Sequence, residues 1–274
     1  MSESMAYLSV CAIYRDEEHY LREWIEFHRL VGVERFFLYN NLSLDDHREV
    51  LAPYIEAGIV TLTDWPEEPG QMSAYEHCLA TFADDSRWIA FIDLDEFLFS
   101  PTKTAVSEIL AEFEDAPGVV VNWAVFGPAD HAAPPAGLLI ENYTRRTDDP
   151  DFNHMVKSIV DPRRVETAPG PHYFTYVGGA FAVDENGDPV QARNVTDQVS
   201  FSRLRINHYV TRSREEYERK QAILNAHTRT LKVPIKNYER RYEKLNEMQC
   251  DAIHVYLEDL RRVLASDPRG SRVS

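Results

Sequence analysis

The sequence predicts an α/β protein with a mostly parallel central sheet, helices on its faces and a helical C-terminal region. Three observations carry this. Apolar strand-like runs and helix-period segments alternate as β-α-β-α-β-α-β over about the first hundred residues, the order that builds a parallel sheet under crossover helices. The strands read as continuous apolar runs, as strands buried on both faces do. They end abruptly in polar residues, and such sheets bind ligands at the carboxyl ends of their strands.

The elements follow in order. Tyr7 to Tyr14 is the first strand, and Arg15-Asp16-Glu17-Glu18 breaks it. From His19 the pattern is helical, with Leu21, Trp24, Ile25, His28 and Leu30 at three- and four-residue spacing. Asp16 is placed to cap this helix and Gly32 to stop it. Trp24 and His28, one turn apart, are read as packing residues. Val33 to Tyr39 is the second strand, Asn40 to Asp46 a polar loop, and His47 to Ala57 a helix ended by Gly58. Ile59 to Thr63 makes the third strand, Gln71 to Phe82 a helix, and Trp88 to Ile92 the fourth strand. Beyond it we expect a helix near Ala105–Phe113, a strand at Gly118–Val125 and a loop at 127–137. A polar mobile stretch at 141–151, a strand at 154–160 and a hairpin turning at Asn186-Gly187 come next. Leu204 to Tyr209 closes with a strand. Residues from Ser213 onward are mostly helical, interrupted near Pro234. This predicts a catalytic domain over 1–212, with halves of about 1–100 and 101–212, and a helical extension over 213–274.

Composition narrows the function classes. A net charge of −16 argues against a nucleic-acid partner. Cys11, Cys78 and Cys250 are few and scattered, without zinc or disulfide spacing, so a reducing cytoplasm is the expected compartment. Met1 to Met5 hold no basic cluster, so no secretory leader is expected. No run reaches the roughly 18 apolar residues of a membrane span. Residues 203–274 carry 16 Lys and Arg against 10 Asp and Glu. That basic region is either a solvated helical tail or a peripheral contact with an anionic inner membrane face.

The fourth strand runs into Asp93-Leu94-Asp95-Glu96. Acids at i and i+2 share a face of a continuing strand, and a tight loop can also converge them. Two convergent carboxylates suit a hard divalent cation, Mg²⁺ or Mn²⁺, that adds phosphate oxygens; a solvated strand end is the plain alternative. No glycine-rich phosphate loop follows the first strand, so a nucleotide here would need a metal instead.

Several separated stretches together resemble the glycosyltransferase family 92 and family 2-like group, with its GT-A fold. They are Asp16-Glu17-Glu18, Tyr20 to His28, Gly32-Val33, Phe36 to Asn41, Trp88 to Leu98, and Asn207-His208-Tyr209 with Ser213, spanning roughly 7–220. The resemblance implies a nucleotide-sugar-dependent transferase. Asp93 and Asp95 match the Asp-x-Asp that bridges metal and diphosphate, with His208 matching a late histidine near the phosphates or metal. Arg15, Asp16 and Asn41 match loops near the nucleotide, and the strand ends add Tyr14 and Asp64. Arg15-Asp16-Glu17-Glu18 stands where related sequences often carry an Asn-Glu pair. Lys157 is a candidate phosphate contact, or a surface charge. Trp123 is a candidate platform for an acceptor sugar, with His172 as a further acceptor contact; packing roles are the alternatives. An inverting transfer needs a carboxylate base, for which Glu96, Asp130 and Asp151 are candidates. The expected partners are a nucleotide sugar, UDP-linked by preference, and a glycan or lipid-linked acceptor. Two rivals stand beside this: a silent sugar- or protein-binding module on the same fold, and a dehalogenase-like phosphatase. The second is disfavoured because Phe97 lies where that chemistry usually wants Thr or Val.

Overall fold

The computed structural model describes residues 5–222 and 238–266. The first apolar run folds as β1 (Ala6–Tyr14), flanked in parallel by β2 (Arg35–Asn40) and β4 (Ser86–Phe91), and β3 (Val60–Asp64) extends the sheet beyond β2. Parallel neighbours require long crossovers, and α1 (Glu18–Leu30), α2 (His47–Glu56) and α3 (Gln71–Phe82) supply them. Alternate residues of β1 serve opposite faces. Leu8, Val10 and Ala12 join the core under α1, while Cys11 and Ile13 join the core under α3.

Gly32 ends α1 at φ +105°, as expected. Asp16 does not cap it. Glu17 occupies the cap position without a side-chain cap bond, and Asp16, at φ +55°, instead accepts a hydrogen bond from Leu44 N–H at 2.7 Å. The chain needs that kink to leave the sheet, and the carboxylate is used to tie two loops.

After β5 (Glu96–Phe99) and α4 (Val106–Leu110), β6 (Gly118–Val125) does not lie beside β4. The 141–151 stretch, expected as a mobile loop, forms α5 (Leu139–Asn142), β7 (Arg145–Arg146) and α6 (Pro150–Asn153). Its polar residues are ordered by a distant partner: β7 pairs with β14 (Met248–Gln249). Next, β8 (Val156–Val160) inserts between β4 and β6, antiparallel to both. A ribbon of β9 (Val165–Thr167) and β10 (Thr175–Tyr176) precedes the hairpin of β11 (Ala182–Val183) and β12 (Pro189–Val190). The hairpin turns where expected, with Gly187 at φ +88°. The main sheet thus runs β12-β11-β6-β8-β4-β1-β2-β3, mostly parallel in the first half and mixed in the second.

Finally β13 (Arg205–His208) pairs antiparallel with β5 and parallel with β6, followed by α7 (Arg214–Ala222), α8 (Tyr238–Leu245) and α9 (Leu257–Ala265). Ile253, Tyr256 and Leu260 belong to the same apolar core as Trp24 and Phe27 of α1, so the C-terminal segment packs on the first half. The expected break near Pro234 lies outside the described residues. Among the described residues no helix is long and apolar enough to cross a membrane.

Candidate active site

The acids after β4 do not sit on a continuing strand. The strand stops at Phe91, and a turn closed by Glu96 N–H donating to Asp93 O (3.1 Å) carries both aspartates. Helix α1 fixes the far side of this turn. Trp24 Nε1 donates to Glu96 O (2.8 Å), and His28 Nε2 accepts from Leu98 N–H (3.1 Å). Those partners make Nδ1 of His28 the protonated nitrogen, donating to Trp24 O (2.8 Å), and burial pushes the ring pKa down to about 3. Both aromatic residues therefore do more than pack: they peg β5 and so the Asp-x-Asp turn.

Each aspartate has its own cation. Lys157 of β8, 1 % exposed, donates to Asp93 Oδ2 at 2.9 Å and stands 3.6 Å from Glu96. Glu96 is wholly buried and accepts from Asp93 N–H (3.0 Å); burial raises its carboxyl above the usual range. Lys157 resists the opposing effect of burial because Asp93 and Glu96 hold its charge. Asp95 is engaged by Lys220 of α7 at 2.5 Å. Burial would raise its pKa, but the charges of Lys220 and Arg212 overcome this and hold it well below the usual carboxylate range.

The β13 register places His208 opposite Glu96. Its Nε2 lies 3.8 Å from Asp95 Oδ1, and burial lowers its pKa to about 4, so the ring is neutral. Trp123 of β6 packs tilted against His208, with 4.2 Å between ring centroids, and meets His172 edge-to-face at 5.1 Å. His172 is lowered to about 4 by burial and then by Lys157, and its Nδ1 contacts Val156 O at 3.0 Å. Asp93, Asp95, Glu96, Lys157, His172, His208 and Trp123 thus come together as one corner.

A second group lines the ends of β1, β2 and β3. Arg15 binds Asn41 Oδ1 (2.9 Å) and Glu68 (2.6 Å), and Asn41 Nδ2 donates to Trp65 O (2.7 Å) and Glu67 O (2.8 Å). Asp64 accepts from Asn40 (2.9 Å) and pairs with Arg48 (2.6 Å). Tyr14 is buried with an unpartnered hydroxyl. Asp16, already spent on Leu44, completes this set. Gly70 lets the loops close: a Cβ there would lie 2.5 Å from Glu67 O and 3.1 Å from Asn41 Nδ2. Just beyond it, Gln71 at the start of α3 donates to Asp93 Oδ1 (3.1 Å), joining these loops to the acidic turn.

Asp130 and Asp151 lie apart. Both are exposed; Asp130 accepts from the Tyr242 hydroxyl and Asp151 sits in the first turn of α6. Arg212, Lys220 and Gln71 escaped sequence reasoning. Lys220 ends the charged run Arg-Glu-Glu-Tyr-Glu-Arg-Lys, which carries no positional signal; only the tertiary placement of α7 brings it to Asp95.

Asp93, Asp95 and His208 are donor types that a hard divalent cation accepts. Asp95 is ionised and His208 neutral, the states a ligand needs, and among the described residues His208 Nδ1 is buried without a partner. In the arrangement described, ammonium groups rest on both aspartates, and among the described residues no three acid, histidine or cysteine side chains converge closely enough to hold an ion.

The family model for glycosyltransferase family 92 matches residues 6–263. A family 92 protein of Oryza sativa subsp. japonica is 33% identical over 159 residues, covering 57% of this chain and 27% of that protein. Galactan beta-1,4-galactosyltransferase GALS2 of Arabidopsis thaliana is 30% identical over 105 residues, covering 35% of this chain and 20% of that protein. The matched stretches span under a third of these relatives' length. A crystal structure of S. aureus TarS 1-349 overlays with a TM-score of 0.45 and 10% identity, over 87% of this chain and 70% of that one. With the family model matched from β1 into α9, this chain belongs to glycosyltransferase family 92.

Proposed function

We propose that the chain transfers a sugar from a nucleotide-sugar donor, UDP-linked by preference, to a glycan or lipid-linked acceptor, with inversion and with a divalent cation. The observation that carries this is the bond from Gln71 to Asp93, which joins the loops held by Arg15 and Asn41 to the turn that carries Asp93 and Asp95. The names of the galactan galactosyltransferase relatives make a hexose donor and a glycan acceptor the first pair to test.

Charge builds on the leaving diphosphate during such a transfer, and preorganised positive groups stabilise it. Asp93, Asp95 and His208 are the residues that would hold Mn²⁺ or Mg²⁺, which supplies Lewis-acid neutralisation of that charge when bound. Lys157 is buried and fixed by two acids, so it adds a permanent positive potential. Arg15 and Asn41 frame the nucleotide end, and Trp123 with His172 offers an aromatic wall for the acceptor. Of the candidate bases, Glu96 serves as the prop of the Asp93 turn, while Asp130 and Asp151 are exposed and lie outside that turn.

Isothermal titration with UDP and Mn²⁺, followed by turnover of a panel of sugar nucleotides, tests this. Asp93→Asn should fold normally and lose turnover. Normal turnover in that variant, or no binding of any nucleoside diphosphate by the parent chain, defeats the reading.

A further inference from the structure

Arg212 is 4 % exposed, and its backbone sits at φ +50°, where non-glycine residues are strained. One nitrogen reaches Glu17 at 2.5 Å, and the guanidinium lies 4.0 Å over the ring of Tyr20. Among the described residues its Nε and Nη2 have no hydrogen-bond partner. Two unsatisfied donors on a buried cation are costly unless an acceptor arrives. The backbone beside it is locked: Ser213 donates to Glu216 from N–H (3.0 Å) and Oγ (2.6 Å), and Glu216 also accepts from Tyr143 (3.0 Å) and Tyr20. Arg212 is therefore held still with half its fork open, in the electrostatic reach of Asp95.

Lys220 differs. Its side chain is 18 % exposed, against 1 % for Lys157, and among the described residues its partner is Asp95. An ammonium on a flexible stem can exchange one anion for another.

We propose that Arg212 and Lys220 form the receptor for the donor's diphosphate, and that Lys220 passes from Asp95 to a phosphate oxygen as the donor binds. This rests on the transferase reading and deepens it. Lys220 masks Asp95 until the donor binds. Donor arrival draws it off and exposes the carboxylate to the cation, so donor and cation bind cooperatively, while Arg212 fills its open donors with phosphate oxygens.

Two titrations on the intact chain test this: Mn²⁺ alone, read by the electron paramagnetic resonance signal of the free ion, and UDP at saturating Mn²⁺, read by calorimetry. Lys220→Met should bind Mn²⁺ about tenfold tighter without nucleotide, and UDP about tenfold weaker. Arg212→Lys, which keeps the charge but loses the fork, should weaken UDP by about tenfold with Mn²⁺ affinity within about twofold of the parent. Thermal unfolding checks both folds. Unchanged UDP affinity or weaker Mn²⁺ binding in Lys220→Met overturns the proposal, and so does unchanged UDP affinity in Arg212→Lys. Failure of the parent chain to bind any nucleoside diphosphate is the separate failure of the transferase reading, seen before any variant is made.

Discussion

Glu23 gives the sharpest quantitative expectation. It lies on α1, 6 % exposed, and accepts backbone N–H bonds from Leu139 (2.8 Å) and Ile140 (3.0 Å), which dock α5. Burial raises its pKa from 4.5 to about 7, against the lowering effect of those two bonds and of Arg212. In the unfolded chain the carboxyl keeps its ordinary value. Between pH 4.5 and 7 the native state therefore holds a proton that the unfolded state has released, and stability falls as pH rises. The gap corresponds to about 3 kcal/mol at 1.36 kcal/mol per tenfold. Glu23→Gln cannot ionise and lacks this slope. It also turns an amide N–H₂ toward one of the two backbone donors, which costs about 1–3 kcal/mol at every pH. Urea unfolding of both proteins from pH 4.5 to 8 isolates the residue, because other titrations cancel in the difference. The parent's advantage should be full at pH 4.5 and shrink by about 3 kcal/mol by pH 8. A flat difference, or an advantage that grows with pH, refutes the reasoning, since it would mean that the N–H pair outweighs burial.

Other tests address the loops and the C-terminal anchor. Gly70→Ala drives a methyl into Glu67 O and Asn41, so it should cost about 1–3 kcal/mol in thermal unfolding and weaken UDP binding by splaying the loops; a variant matching the parent in both would show that the loops are not a closed unit. Glu216 is pushed up by burial, but hydrogen bonds from Ser213 and Tyr20 and the charge of Arg212 hold it below the usual range. A depressed carboxyl contributes stability above its ordinary pKa and loses it as pH falls, so Glu216→Gln should cost roughly 2–3 kcal/mol at pH 7 and less toward pH 4 in denaturant unfolding.

The first half of this chain could be read because its signals are local. Apolar runs, three-and-four spacing and the stops at Gly32 and Gly58 determine β1 through β4 with their helices, and the acids that break off the fourth strand point to the candidate site. Trp24 and His28 were legible as buried, while their grip on Glu96 O and Leu98 N–H was not, because a hydrogen bond across 70 residues leaves no periodicity. The second half was decided by distant pairing. Only β8 threading between β4 and β6 turns Lys157 toward Asp93, only β14 orders the polar stretch at β7, and only the path of the chain from β13 into α7 brings Arg212 and Lys220 to Asp95. Short-range sequence pattern specifies how a segment folds; which charges end up facing one another is set by chain segments far apart, whose register comes from the packed sheet.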